Sequence, residues 1–238
     1  MPRALILIAG LAFAAIAAGA AAQTAAQGVL ARARQAQGGA AAWNAVRGLK
    51  LKGEEDGRPI EMTVDLIRYG LRIEQTGRPD WKVQGYNGFG EWRILVDGQS
   101  TGSQAAADLA EIRSDAYFAS YGYFFPSRFE AQVSLVGAKQ IGGRAFDAVK
   151  VEPAGGEPRE LWFDRRTGQL AIIVDETGPR QGRTEFSDYR RAGRITVAFK
   201  AFTYGGTHPA SAEMKVESVD AEAPDRALFS LPRPIGGG

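Results

Sequence analysis

One stretch of the sequence has the spacing of a catalytic motif. Gly98-Gln99-Ser100-Thr101-Gly102 fits G-x-S-x-G, the nucleophile elbow in which a serine on a tight strand-to-helix turn attacks an acyl carbon. An alternating segment, Arg93–Val96, precedes it and a helical pattern follows. Asp175 or Asp188 and then His208 come later, in the chain order of a Ser-Asp-His triad. That elbow, however, belongs to parallel sheets of alternating strands and helices, and this chain carries long runs of hairpin signals. Gly98–Gly102 reads better as a polar loop leading to a helix N-cap at Ser103, with a serine hydrolase using Ser100 kept as an alternative. His208, the single histidine, sits in the turn-like Gly205-Gly206-Thr207-His208-Pro209. With one His and no Cys, disulfides, thiol catalysis, thiolate metal sites and H-E-x-x-H sites are excluded. Glu54-Glu55-Asp56 lacks a cation-loop pattern, and Arg190-Arg191 with Arg194 is a small basic patch beside a turn. Asp65 and Glu74 fall opposite their strands' apolar faces, towards solvent. The expectation is therefore no catalytic residue, no metal and no cofactor.

The elements that position side chains begin with a segment that does not belong to the fold. Met1-Pro2-Arg3 is a basic start, Ala4–Ala18 is an apolar run, and Ala20-x-Ala22 fits a secretory cleavage site. Residues 1–22 are expected to be a removed signal peptide and 23–238 a single periplasmic, monomeric domain. Lys and Arg number 29 and Asp and Glu 27, a balance too even to argue for nucleic acid.

Residues 24–46 carry an apolar stripe at helical spacing through Val29, Ala33, Ala36, Ala40, Trp43 and Val46, interrupted by Gly38-Gly39, which predicts a helix in two pieces. A second helix is predicted over 103–116, with Ala106, Leu109, Ile112 and Ala116 on one face. Elsewhere the period is two. Met62, Val64 and Leu66, then Leu71 and Ile73, Trp81 and Val83, and Trp92, Ile94 and Val96 mark half-buried strands separated by turn signals such as Asn87-Gly88. Seven more candidates run from Val133 to Val219, giving about eleven strands whose short connections require antiparallel pairing. The fold class is mainly β: one strongly curved antiparallel sheet covered by two alanine-rich helices. Such thin cover predicts an apolar cavity. The aromatic run from Tyr117 through Tyr121, Tyr123, Phe124 and Phe125 must either be covered or be used. Continuing Met62, Val64, Leu66 by two reaches Arg68, which is either an anchor for a polar ligand group at the cavity mouth or a turn residue.

This ordered set of features resembles the outer-membrane lipoprotein-sorting (LolA-like) superfamily. The residues that carry the resemblance are Gly38-Gly39 leading to Val46 and Leu49; Tyr86-Asn87-Gly88 with Trp92 downstream; Leu161-Trp162-Phe163-Asp164 to Thr167-Gly168-Gln169-Leu170; Phe186-Ser187-Asp188-Tyr189-Arg190; and Asp225 to Phe229 with Pro232. The resemblance implies a half-barrel around a cavity for acyl chains, without catalysis. It also implies a role in acyl-chain transfer for Arg68, although Tyr69-Gly70 follow where the carrier proper has Pro, and Ala198 replaces another Pro. The expected cavity lining is Trp43 from the first helix and Leu109, Ile112, Tyr117, Tyr121, Phe124 and Phe125 from the central segment. The strands add Met62, Val64, Leu66, Trp81, Trp92, Phe163 and Phe199, with Arg68 at the mouth. The function implied is a carrier or chaperone for a hydrophobic or lipidated ligand, with an envelope membrane protein or lipoprotein as a further partner. The alternative on the same cavity is an envelope-stress lipid sensor.

Overall fold

The structure, a computed structural model, describes residues 21–103, 105–175, 181–205 and 212–231. Most of the proposed signal segment, His208 and Pro232 lie outside the described residues. Thirteen strands form one sheet: β1 (Gly48–Glu55), β2 (Arg58–Asp65), β3 (Gly70–Gln75), β4 (Trp81–Tyr86), β5 (Glu91–Leu95), β6 (Ser100–Ser103), β7 (Ala131–Ile141), β8 (Arg144–Pro153), β9 (Arg159–Asp164), β10 (Leu170–Asp175), β11 (Gly182–Ala192), β12 (Ile195–Gly205) and β13 (Ala212–Asp220). Every neighbouring pair is antiparallel, and the order is β6-β5-β4-β3-β2-β1-β13-β12-β11-β10-β9-β8-β7. Two meanders are thus joined along β1 and β13. Edges β6 and β7 do not pair, so the sheet is not a closed barrel.

The two strands beyond the expected eleven are β1 and β6. β6 is a polar Ser-Thr-Gly-Ser segment without an apolar alternation to reveal it.

The sheet curls. Leu71 and Tyr86, from the first meander, share one buried cluster with Val149, Val151 and Leu161 from the second, which a flat sheet would not allow. Helix α1 (residues 21–36), α2 (Gly39–Ala45) and α3 (Ala106–Ala119) lie on this concave side. The break between α1 and α2 falls where the glycines predict it. Gly38 has φ +123°, and a Cβ there would lie 2.7 Å from the Arg194 carbonyl oxygen. Ser103 does not cap α3; it ends β6, and α3 starts three residues later. The β9–β10 hairpin is built as its sequence predicts, with Asp164 Oδ1 accepting the backbone N–H of Arg166 and Thr167, and Gly168 at φ +73°.

Candidate functional site

Trp43 is the centre of the concave side. It is fully buried, and its indole N–H donates to the Gln37 carbonyl, 3.1 Å away, across the α1–α2 break. The chain leaving α3 hooks beneath it. Tyr121 adopts the left-handed conformation (φ 52°), a 3-10 turn follows over Gly122–Phe124, and Gly122 lies where a Cβ would press to 2.6 Å on the Tyr117 ring. Successive aromatic residues are thereby folded inward. The Trp43 ring lies 4.7 Å from Tyr121, 5.3 Å from Phe124 and 6.3 Å from Phe125, centroid to centroid, and Tyr123 packs against Phe124 and Phe163.

Val64, Leu66, Ile112, Tyr117, Phe124, Phe125, Phe163 and Phe199 join Trp43 in the main buried cluster, with Met62 and Tyr121 packed against it. Three expected residues stand elsewhere. Trp81 belongs to neither buried cluster and lies under the Arg78 guanidinium, 4.4 Å from its ring centroid. Trp92 is on the opposite face of the sheet. It pairs with Gly85, whose missing Cβ makes room for the indole, whereas the next residue, Tyr86, faces the concave core. The C-terminal turn Arg226–Phe229 covers Trp92, whose indole N–H donates to the Phe229 carbonyl at 2.8 Å. Leu109 is half-buried on α3, outside the cluster.

Arg68 is a turn residue, and also a cleft residue. Strand β2 stops at Asp65, whose carboxylate accepts the backbone N–H of Ile67 (2.7 Å) and Arg68 (3.0 Å) and so closes the turn. Asp65 is therefore buried rather than solvated. The turn borders a cleft of about 230 Å³ lined by Arg68, Tyr69, Tyr117, Arg128, Phe129 and Glu130 among others. Tyr69, Tyr117 and Phe129 form its aromatic floor; the Tyr69 hydroxyl donates to the Arg113 carbonyl, and burial raises its pKa far above the usual value. A second cleft, about 200 Å³, lies by the C-terminal segment and includes Leu49, Lys50, Thr63 and Asp220. Both are smaller than the roughly 300–1,000 Å³ of ordinary ligand pockets. The space that alanine-rich helices were expected to leave open is filled by the hooked aromatic segment.

That filled core has a flaw as a purely structural one. The Gln37 amide is fully buried, and neither its oxygen nor its nitrogen has a hydrogen-bond partner; the buried Tyr123 hydroxyl has none either. Burial holds the Tyr123 pKa well above normal, so the hydroxyl stays protonated and able to donate.

The serine-elbow alternative fails on position. Ser100 is exposed on edge strand β6, followed by more strand rather than a helix. Asp175 is bound to Arg159 (3.0 Å) and Asp188 to Arg190 (2.6 Å).

No known family profile matches the chain, and no curated protein matches its sequence. Solved structures match its fold. A DUF1329 family protein from Desulfovibrio piger has a TM-score of 0.58 at 12% identity, covering 88% of this chain and 97% of its own. A LolA superfamily protein from Nitrosomonas europaea gives 0.53 at 7% identity, covering 87% and 97%. An outer membrane lipoprotein-sorting protein domain from Vibrio parahaemolyticus gives 0.52 at 10%, covering 83% and 92%. The fold is similar to those of a LolA superfamily protein and an outer membrane lipoprotein-sorting protein domain. No helix among the described residues is long and apolar enough to cross a membrane.

Proposed function

We propose that this protein is an exported carrier or chaperone of the periplasm that sequesters an acyl chain of a lipid or lipoprotein beneath the aromatic hook. Its fold is shared with lipoprotein-sorting proteins, but the observation that carries the reading is the set of unsatisfied polar atoms at Gln37 and Tyr123. A buried polar group without a partner costs about 1–3 kcal/mol, and an apolar residue of the same shape removes that cost. A core serving stability alone has no use for them, whereas the carbonyl at the head of an acyl chain accepts from the Tyr123 hydroxyl or the Gln37 Nε2–H, and the N–H of an amide-linked chain donates to Gln37 Oε1. Loading requires Tyr121, Phe124 and Phe125 to swing aside, since the rings occupy the space the chain takes. Apolar burial at about 25 cal/mol per Å² then drives binding without covalent chemistry.

Tyr123→Phe separates the two roles. It should leave the empty protein as stable or more stable, while weakening a lysophospholipid or fatty-acid ester about tenfold, the loss of one hydrogen bond. Equal affinity in both proteins refutes the reading, as does the absence of any lipid in native mass spectra of protein taken from its own envelope. Ligand release from Arg68→Leu and Arg68→Lys variants then reports whether the turn guanidinium holds the polar end.

A further inference from the structure

The seam where α1 meets the segment after the aromatic hook gathers positive charge around one buried ring, Phe125, with Arg34 half-buried and Arg128 exposed. The Arg34 guanidinium lies 5.1 Å from the Phe125 centroid and the Arg128 guanidinium 4.4 Å from the same centroid. Neither makes a salt bridge among the described residues. Arg34 donates from Nη2 to Asn44 Oδ1 (2.7 Å), and Arg128 from Nη1 to the Leu66 carbonyl (3.4 Å). Arg34 Nε is buried without a partner. Arg128 then continues into the 230 Å³ cleft, where Arg68 forms part of the wall and Glu130 is the lining carboxylate.

Holding two like charges on one phenyl ring is unfavourable unless something offsets it. Burial, and then the proximity of Arg128, lower the pKa of Arg34 from its usual value. Cation–π contact with Phe125 recovers part of this, but it leaves the Arg34 Nε–H without a partner and Arg128 with one long bond to the Leu66 carbonyl. A carboxylate offers two oxygens, enough for one fork. A phosphate offers three or four, and three guanidinium groups carried on different elements match that number.

We propose that Arg34, Arg68 and Arg128 form a binding site for a phosphate group, set at the seam between α1, the Leu66–Tyr69 turn and the segment after the aromatic hook. It deepens the carrier reading by assigning the ligand's headgroup, but it stands on different residues from those that face the acyl chain.

The test is calorimetric titration of the full mature protein with three probes: inorganic phosphate, short-chain phosphatidic acid below its micelle concentration, and the diacylglycerol of the same chains. Phosphatidic acid should bind at least tenfold tighter than diacylglycerol. Arg34→Gln and Arg128→Gln should each remove most of that difference while leaving diacylglycerol binding and the melting temperature nearly unchanged. Arg34→Lys should rescue only in part, and Glu130→Gln should tighten phosphatidic acid. Inorganic phosphate that competes with phosphatidic acid identifies the phosphate as sufficient; phosphate that does not compete identifies a lipid headgroup as the source. Equal binding of the two lipids overturns this site and leaves the carrier reading intact. Arginine-dependent phosphate binding with no lipid binding supports the site and refutes the carrier. No binding of any probe refutes both.

Discussion

Replacing Phe124 with alanine removes one of the three rings that pack the aromatic hook against Trp43 of α2. Phe124 is 2% exposed and touches the rings of Trp43, Tyr121 and Tyr123, which are themselves held by helix and turn hydrogen bonds and have little freedom to collapse into the gap. Phe-to-Ala changes at such sites cost about 3–5 kcal/mol, the lost transfer energy plus the cavity. For a chain of this size that corresponds to a fall in melting temperature of roughly 6–20 °C. Thermal unfolding followed by far-ultraviolet circular dichroism, with a urea titration to check that the slope is unchanged, measures it. The void is lined by rings and should stay dry, so benzene or xenon should restore part of the loss. A fall of less than about 3 °C, below what any buried Phe deletion gives, would refute the packed hook and imply that the segment already stands open in the empty protein.

Asp164 carries a second test. Burial raises its pKa, but the Arg144 fork (3.1 and 2.8 Å) and the Thr167 and Arg166 backbone N–H groups outweigh that and leave it lowered. Its stabilisation is therefore present above the unfolded pKa of about 4 and lost as pH falls through the folded value, so Asp164→Asn should lose about 1–3 kcal/mol at pH 7 and converge with wild type in strong acid, as urea midpoints across pH will report. Gly85→Ala places a Cβ 2.1 Å from the Trp92 ring and should destabilise by about 1–3 kcal/mol, with partial recovery in a Gly85→Ala/Trp92→Leu double variant. Ser100→Ala should change neither stability nor ligand binding, and a fluorophosphonate probe should not label Ser100 stoichiometrically; labelling abolished by prior denaturation would reinstate the hydrolase.

Much of the fold was legible because one face of each strand is buried against the concave core. Val64 and Leu66 declare that face by alternation, and Asn87-Gly88 and Thr167-Gly168 declare the turns. β6 was not legible, since an exposed edge strand of Ser, Thr and Gly has no buried face to record. Alternation also fails to say which face is the inner one. Trp92 and Tyr86 are both large and apolar on neighbouring strands yet point oppositely, and the deciding residue is Gly85, whose meaning depends on its cross-strand partner. The role of Arg68 hinged on where β2 ends, which Asp65 decides by capping the turn with its own side chain. Asp65 just ahead of the Tyr69-Gly70 turn signal was the available clue. The pairing of Arg34 with Arg128 over Phe125 had none, because residues so far apart in sequence meet only through the tertiary fold.

The seam between β1 and β13 has a consequence for synthesis. β13, the last described strand in chain order, is not an edge strand but the middle of the sheet, pairing on one side with β12 and on the other with β1, Lys50 opposite Asp220. The first meander, β1 to β6, and the second, β7 to β12, can each zip from local hairpins as they emerge. Neither can curl around a shared core until the C-terminal strand arrives to splice them. A nascent chain short of β13 therefore exposes two apolar half-faces, and a protein built this way must be kept unfolded or shielded by other factors until that strand has emerged.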